Sequence, residues 1–199
     1  MKNAQVRNAT VQRTTGETSI ELTLAIDGSG TVEVETGVPF FDHMLDALAR
    51  HAGFDLSVKA SGDVEVDAHH TVEDVGIVLG QAIAQALGDK AGIVRFGQSI
   101  MPMDEALVIA AIDVSGRGQC YYEVDLPIEI IGTFDTTLTQ EFLAALAREA
   151  GLTLHVRSLA GTNAHHIVEA AFKAVARALR TALTLDPRVT GVPSTKGSL

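Results

Sequence analysis

Two segments of the chain carry the same set of metal-competent side chains, His69-His70-Thr71-Val72-Glu73 and His165-His166-Ile167-Val168-Glu169. Each opens an apolar pattern of helical spacing. The first His and the Glu, four positions apart, therefore share one helix face, while the second His points about 100° away. One helix start can thus serve two neighbouring metals. Imidazole nitrogen and carboxylate oxygen without thiolate suit zinc, manganese, iron or nickel, and disfavour copper(I) or an iron–sulfur cluster. A single such segment reads more simply as polar residues facing solvent at a helix N-terminus. Two copies at matching places in a repeated chain make a pseudo-symmetric metal pair the better reading. The order also differs from the His-Glu-x-x-His of zinc proteases. Each half-site then holds two His and one Glu, and His43 in Phe40-Phe41-Asp42-His43-Met44-Leu45 and His155 in Leu152-Thr153-Leu154-His155-Val156-Arg157 are candidates to complete them. Taken singly, each is an ordinary core or surface histidine. His51 has no counterpart in the second half and is left as a candidate substrate or structural residue.

The elements that must position these residues are legible as periodicities. Residues 17–36 alternate, with Ile20, Leu22, Leu24 and Ile26 on one face, Asp27-Gly28-Ser29-Gly30 as a turn, then Val32 and Val34, which predicts a β-hairpin. Phe40, Phe41, Met44, Leu45 and Leu48 after Pro39 predict a helix stopped by Gly53. Residues 54–67 alternate again and predict two further strands, before a long helix carrying Val72, Val75, Leu79, Ile83 and Leu87. A β-β-α-β-β-α order results. It recurs as a hairpin over 104–126 turning at 115–118, a helix over 136–150, a strand over 152–159 and a helix over 164–185. The likeness is also literal: Ala25-Ile26-Asp27 answers Ala111-Ile112-Asp113, and Leu48-Ala49-Arg50 answers Leu146-Ala147-Arg148. A tandem duplication of a roughly 90-residue α+β unit follows, its two sheets packed on a shared helical layer. The expected divisions are a first repeat over 1–92, a second over 93–185 with 92–102 as the joining stretch, and a Pro/Gly/Ser-rich tail over 186–199 that closes on the site.

Composition bounds what such a molecule does. The 199 residues are 46% hydrophobic and 20% charged, ordinary values that exclude disorder over most of the length. Acidic residues number 25 against 15 Lys plus Arg, a formal charge of −10, so the average surface repels a nucleic-acid backbone. A membrane-spanning helix needs about 20 consecutive apolar residues, and the longest run, Ala106 to Ile112, falls far short. The N-terminus lacks the apolar core of a secretory signal, and Cys120, the single cysteine, has no internal partner. A cytoplasmic location is the expectation.

The chain resembles the imidazoleglycerol-phosphate dehydratases of histidine biosynthesis from about Arg7 to Gly197. The resemblance rests on Phe40 to Leu45, on Asp67-Ala68-His69-His70-Thr71-Val72-Glu73-Asp74, on Leu159-Ala160-Gly161-Thr162-Asn163-Ala164-His165-His166, and on Pro193-Ser194-Thr195-Lys196-Gly197. Where many relatives end in Ser-Ser-Lys-Gly, Thr195 keeps a hydroxyl. Some bacterial relatives carry an N-terminal phosphatase domain; here the similarity begins almost at Met1, and a single activity is expected. The resemblance implies two ribosomal-protein-S5-domain-2-like units, a 24-subunit homo-oligomeric shell, and active sites at subunit interfaces holding two manganese ions, Mn(2+), each. It implies His43, His69, His70, Glu73, His155, His165, His166 and Glu169 as metal ligands.

The implied reaction removes water from D-erythro-imidazole-glycerol phosphate to give imidazole-acetol phosphate. The hydrogen to be lost is not acidic in the starting diol, but a metal-bound imidazole can lose its N–H proton, and the imidazolate can expel the neighbouring hydroxyl. The next C–H then becomes acidic enough for a positioned carboxylate. Glu17 matches the family's substrate-contacting glutamate and is the candidate acid/base, against the plainer reading of a solvated strand end; His51, His70 and Glu73 are further candidates to move protons, and the sequence does not rank them. With the resemblance, His43, His69 and His70 also line the substrate. A phosphorylated substrate requires local cations, and Arg95, Arg117, Lys173 and Lys196, with Ser194 and Thr195, are the candidate clamp. Two rival classes remain open on the residues alone: a hydrolase using metal-bound hydroxide, which would need no imidazole, and a non-catalytic metal-binding shell protein.

Overall fold

The computed structural model describes residues 7–197 and Leu199. Its first half runs β1 (Asn8–Thr14), β2 (Thr18–Ala25), β3 (Val32–Glu35), α1 (Pro39–Ala52), β4 (Asp55–Gly62) and α2 (His69–Leu87). Its second runs β5 (Phe96–Met103), β6 (Ala106–Asp113), β7 (Gln119–Glu123), a two-stranded ribbon of β8 (Ile130–Ile131) and β9 (Phe134–Asp135), α3 (Leu138–Ala150), β10 (Thr153–Ala160) and α4 (Ala164–Leu183). The α+β class and the duplication stand: each half has a four-stranded sheet and two helices, with strand orders β1-β2-β4-β3 and β5-β6-β10-β7.

The strand pairing differs from the alternation's suggestion. Residues 17–36 do not form a hairpin, because β4 inserts between β2 and β3, antiparallel to the first and parallel to the second. The reason lies in Asp55 at the start of β4. Its carboxylate accepts from the backbone N–H groups of Ser29 (2.8 Å) and Thr31 (2.9 Å), so the 27–31 segment wraps over the end of β4 instead of folding β3 back on β2. Any Cβ on Gly28 would collide with the Asp55 backbone. The second half repeats this, with β7 parallel to β10 and the Gly116 N–H donating to Gly151 O at 2.7 Å. The true hairpins lie upstream, β1–β2 and β5–β6, and β5 occupies most of the stretch expected to join the halves. A single strand, β4, replaces the two expected over 54–67, since residues 63–68 form a turn that exposes Val64 and Val66.

The helices follow the pattern. Pro39 opens α1, where its missing N–H costs nothing. Gly53 closes it at φ 78°, its N–H donating to Arg50 O while Phe54 N–H reaches Ala49 O; Gly151 and Leu152 do the same for α3 on Arg148 O and Ala147 O. All four helices lie between the two sheets, α2 packing on α3 and α1 on α4. Phe41 meets Phe142 edge-on at 5.3 Å, and Phe142 stacks on Phe172 at 5.2 Å, so the halves share one core. Each such fully buried ring contributes about 1.5–3 kcal/mol.

Candidate metal centre

Helices α1 and α4 run side by side in the same sense, which brings the second turn of α1 to the first turns of α4. His43, His165 and Glu169 meet there, with one ligand atom of each lying within 4.8 Å of the others. Glu169 Oε2 is 3.2 Å from His165 Nε2 and 3.7 Å from His43 Nε2. Its other oxygen, Oε1, is taken by Lys173 Nζ at 2.6 Å, which leaves Oε2 to face the imidazoles. Burial pushes the Glu169 carboxyl up, but Lys173 and the two histidines outweigh it and hold the group below its usual range. Phe40 sets the His165 ring by an edge contact at 5.0 Å. The donors fit a borderline divalent ion: two imidazole nitrogens and a carboxylate oxygen, with no thiolate among them.

Two turns along α1, His51 faces the same side of α4. Burial first, then the cations Lys173 and Arg177, push its pKa down against the opposing charge of Glu169. His51, a candidate substrate or proton-moving residue with no counterpart in the second repeat, stands near Lys173.

The start of α2 is built differently. His69 Nε2 lies 3.7 Å from Glu73 Oε2, as the i,i+4 spacing requires, but the other Glu73 oxygen lies 3.7 Å from Arg148 of α3. Among the described residues no third His, Cys, Asp or Glu joins them as a ligand group. The second histidine of each pair points elsewhere, toward a carboxylate that sequence reasoning missed. His70 Nδ1 is 3.1 and 3.3 Å from the two Asp63 oxygens, and His166 Nδ1 is 2.7 Å from Glu105 Oε2. These contacts raise both imidazole pKa values. Glu105 is pulled down to about 2, by His166 first and then by the N–H groups of Asn163 and Thr162. The duplication offered one signal for Glu105, since it stands in the β5–β6 turn as Glu17 stands in the β1–β2 turn; Asp63 has no such mark.

Glu17 is exposed, with Oε2 at 3.8 Å from His70 Nδ1. Its turn is tied to α2 by buried Asp74, which accepts from Thr18 Oγ1 at 2.5 Å and Arg13 Nε at 3.0 Å. His155 lies on the outer face of the second sheet, stacked on Tyr121 at 4.5 Å, away from the helix starts. The candidate cations divide into two groups. Lys173 sits on Glu169, whereas Arg95 and Arg117 converge on Asp113 at 2.7 and 3.5 Å. Arg95 also donates to Pro193 O at 2.9 Å, so Ser194, Thr195 and Lys196 follow directly from this second cluster. Its backbone N–H donates to Ala182 O near the far end of α4, about 20 Å along the helix from Glu169.

The family model for imidazoleglycerol-phosphate dehydratase matches residues 36–179. The imidazoleglycerol-phosphate dehydratase of Dinoroseobacter shibae is 60% identical over 195 residues, covering 98% of this chain and 100% of that protein. The protein of the same name from Moorella thermoacetica is 58% identical over 193 residues, 97% of this chain and 98% of its own length. Among solved structures, imidazoleglycerol-phosphate dehydratase from Staphylococcus aureus superposes with a TM-score of 0.82 at 39% identity, covering 90% of this chain and 99% of that one. The enzyme from Pyrococcus furiosus, solved in complex with (S)-C348, gives 0.81 at 41% identity, covering 95% and 100%.

Proposed function

Because the chain belongs to the imidazoleglycerol-phosphate dehydratase family and is therefore a hydro-lyase of histidine biosynthesis, we propose that it dehydrates imidazole-glycerol phosphate at sites holding two manganese ions, built from both repeats and completed between subunits. The observation that carries this reading is the convergence of His43, His165 and Glu169 from two different repeats. When bound, the divalent ions would supply Lewis-acid polarisation of the substrate's imidazole ring.

The chain's own residues provide the rest. His43, His165 and Glu169 would hold one ion and His69 and Glu73 the other, with His70, His155 and His166 as the remaining ligands. His69 and Glu73 have too few partners within one chain, and His155 stands on an outer sheet face, so a second copy is the natural source of the missing donors. The same logic applies to the phosphate. Lys173, midway along α4, and the cluster of Arg95, Arg117 and the 194–196 tail, at its C-terminal end, lie about 14 Å apart along the helix, and a neighbouring subunit would bring one chain's arginines and tail over another chain's helix starts. A closed shell of 24 copies would satisfy every site at once. Glu17, exposed beside His70, is placed to take the carbon-bound proton at a carboxylate oxygen and to return it during ketonisation. His51 and Lys173 would face the substrate beside the His43 cluster, and the tail closing over the phosphate would exclude water. Such an enzyme would work in the cytoplasm; no described helix is long and apolar enough to cross a membrane.

The test strips the protein of metal, adds manganese or zinc, and follows conversion of imidazole-glycerol phosphate to imidazole-acetol phosphate with Glu73→Gln alongside. Manganese-dependent turnover that disappears in the variant supports the reading. An unreactive, metal-loaded wild type overturns it.

A further inference from the structure

The duplication places a glutamate immediately before the second strand of each hairpin, Glu17 before Thr18 in β2 and Glu105 before Ala106 in β6. Their surroundings have diverged. Glu105 is saturated, with Oε2 on His166 Nδ1 at 2.7 Å and Oε1 accepting the N–H groups of Asn163 at 2.8 Å and Thr162 at 3.1 Å. Glu17 stands back at 3.8 Å from His70 Nδ1, and among the described residues its carboxylate accepts no hydrogen bond. The position that Glu105 holds on His166 is filled on His70 by Asp63, which follows β4, at 3.1 Å.

We propose that Asp63 and Glu105 are positioning residues that accept the Nδ1–H of His70 and His166, fix each ring with the Nε2 lone pair directed at metal, and, through Asp63, leave Glu17 free to move protons. An ionised carboxylate only accepts hydrogen bonds, so the proton of a neutral imidazole facing it must sit on Nδ1. The other nitrogen then carries the lone pair, in the carboxylate–histidine–metal arrangement that orients ligands and raises their basicity. Asp104, whose Oδ2 lies 3.5 Å from His166 Nε2, stands on the outward side of the same ring. In the second repeat the hairpin glutamate orients a ligand. In the first, an aspartate from a different element has taken that task. The inference rests on His70 and His166 being ligands, as proposed above.

Glu105→Gln keeps an oxygen for the two backbone N–H groups but can turn its amide N–H toward His166 Nδ1, which forces the ring proton onto Nε2 and removes the ligand. Among the described residues the Asp63 carboxylate hydrogen-bonds only His70, so Asp63→Asn reads the same tautomer switch without any backbone clamp. Manganese affinity and stoichiometry of metal-stripped protein would be measured by the electron paramagnetic resonance signal of free Mn(2+), with melting of the metal-free protein alongside. Each variant is expected to bind manganese about 10- to 100-fold more weakly with unchanged metal-free melting, while Glu17→Gln keeps its affinity and loses turnover. If both variants bind like wild type while His70→Ala and His166→Ala lose metal, the positioning role is overturned and the ligands stand. If those two alanine variants also bind like wild type, the ligand reading itself fails and the proposal falls with it. A Glu17→Gln variant as weak in metal binding as Asp63→Asn would overturn the division of labour.

Discussion

The two repeats began as copies, and their helix pairs no longer do the same work. On the α1–α4 side three donors converge and Lys173 steadies the carboxylate. On the α2–α3 side only His69 and Glu73 meet, and by the register that matches Leu48 to Leu146 and His69 to His165, the counterpart of His43 is Glu141 and that of Lys173 is Ile77. The outer sheet faces have diverged as well. The first presents Thr10, Gln12, Glu21, Thr23, Ser57 and Lys59, whereas the second presents Phe96, Ile100, Ile109, Ala111, Tyr121 and Leu159 around His155. Duplication supplied the paired motifs; divergence left three donors together on the α1–α4 side and two on the α2–α3 side, and made the outer face of the second sheet the more apolar of the two.

The largest expected effect tests whether both sides are needed. Glu169→Gln removes the negative charge and leaves one oxygen where Lys173 and the two imidazoles now use two, and Glu73→Gln does the corresponding damage on α2. Each should lower kcat by more than about 10³-fold, within the upper part of the range for a lost catalytic proton carrier of about 10²–10⁴. Steady-state turnover at saturating manganese measures it. A Glu73→Gln enzyme within tenfold of wild type would make the α2 side a spectator and break the comparison.

The outer faces give the next contrast. Ile100 is 59% exposed in the single chain; in the proposed shell Ile100→Asp would place a charge where burying an isoleucine would contribute about 1.5–3 kcal/mol per copy, and the expected outcome is a smaller species by light scattering. Thr23→Asp, on the polar face of the first sheet, should leave the mass unchanged. Equal behaviour of the two would show that the apolar face is not where copies meet.

The shared plan of the two repeats was legible in the residues and their asymmetry was not, for physical reasons. The paired His-x-x-x-Glu spacing, the Gly53 stop and the helical layer follow from periodicity, which is a local property. Strand β1 was not read because its inward face offers only Ala9, Val11 and Arg13, and β5 because Gly97 and Ser99 blur the alternation. The apparent hairpin over 17–36 failed for another reason: β3 and β2 do alternate, but their partner is chosen by the insertion of β4, a tertiary event fixed by Asp55 some 26 residues from Ser29. Asp63 escaped because a carboxylate that meets a histidine from another element leaves no spacing in the sequence, and for Glu105 the one signal was its place in the repeat, opposite Glu17.

A smaller effect separates the helix pairs by packing. In α2, Gly76 and Gly80 allow close approach of α3, where a Cβ on Gly80 would lie 2.8 Å from Leu146 O and 2.6 Å from Glu149 Cβ; α4 has Phe172 and Ala176 at the matching places. Gly80→Ala should therefore cost about 1–3 kcal/mol through overpacking despite the better helix propensity of alanine, read as a lower melting temperature. Ala176→Gly relieves no clash and should cost the propensity difference of about 1 kcal/mol together with about 0.8 kcal/mol for the buried methyl that it deletes. A Gly80→Ala protein as stable as wild type would mean that the close approach of α2 and α3 does not require the glycine.

The smallest effect concerns an arginine that opens each repeat. Arg7, just before β1, and Arg95, just before β5, each grip an aspartate beyond or at the end of the second strand, Asp27 and Asp113. Arg95 then reaches Pro193 O in the tail, while Arg7 donates to Leu183 O at 2.6 Å and ties the first strand to the end of α4. The Arg7 hydrogen bonds hold the Asp27 carboxyl below its ordinary pKa. A carboxyl whose folded pKa lies below its unfolded value of about 3.9 adds stability that is fully present above that value and is lost as pH falls through the folded one. Asp27→Asn should therefore destabilise the protein slightly at pH 7, by less than about 1 kcal/mol for a half-exposed pair, and the difference should vanish on acidification well below pH 4. Melting temperatures across that range measure it. Because this arginine fastens strand to helix and its twin fastens the tail, Asp27→Asn should leave KM unchanged, whereas Asp113→Asn should raise it; a shift of KM in both would make the two arginines equivalent.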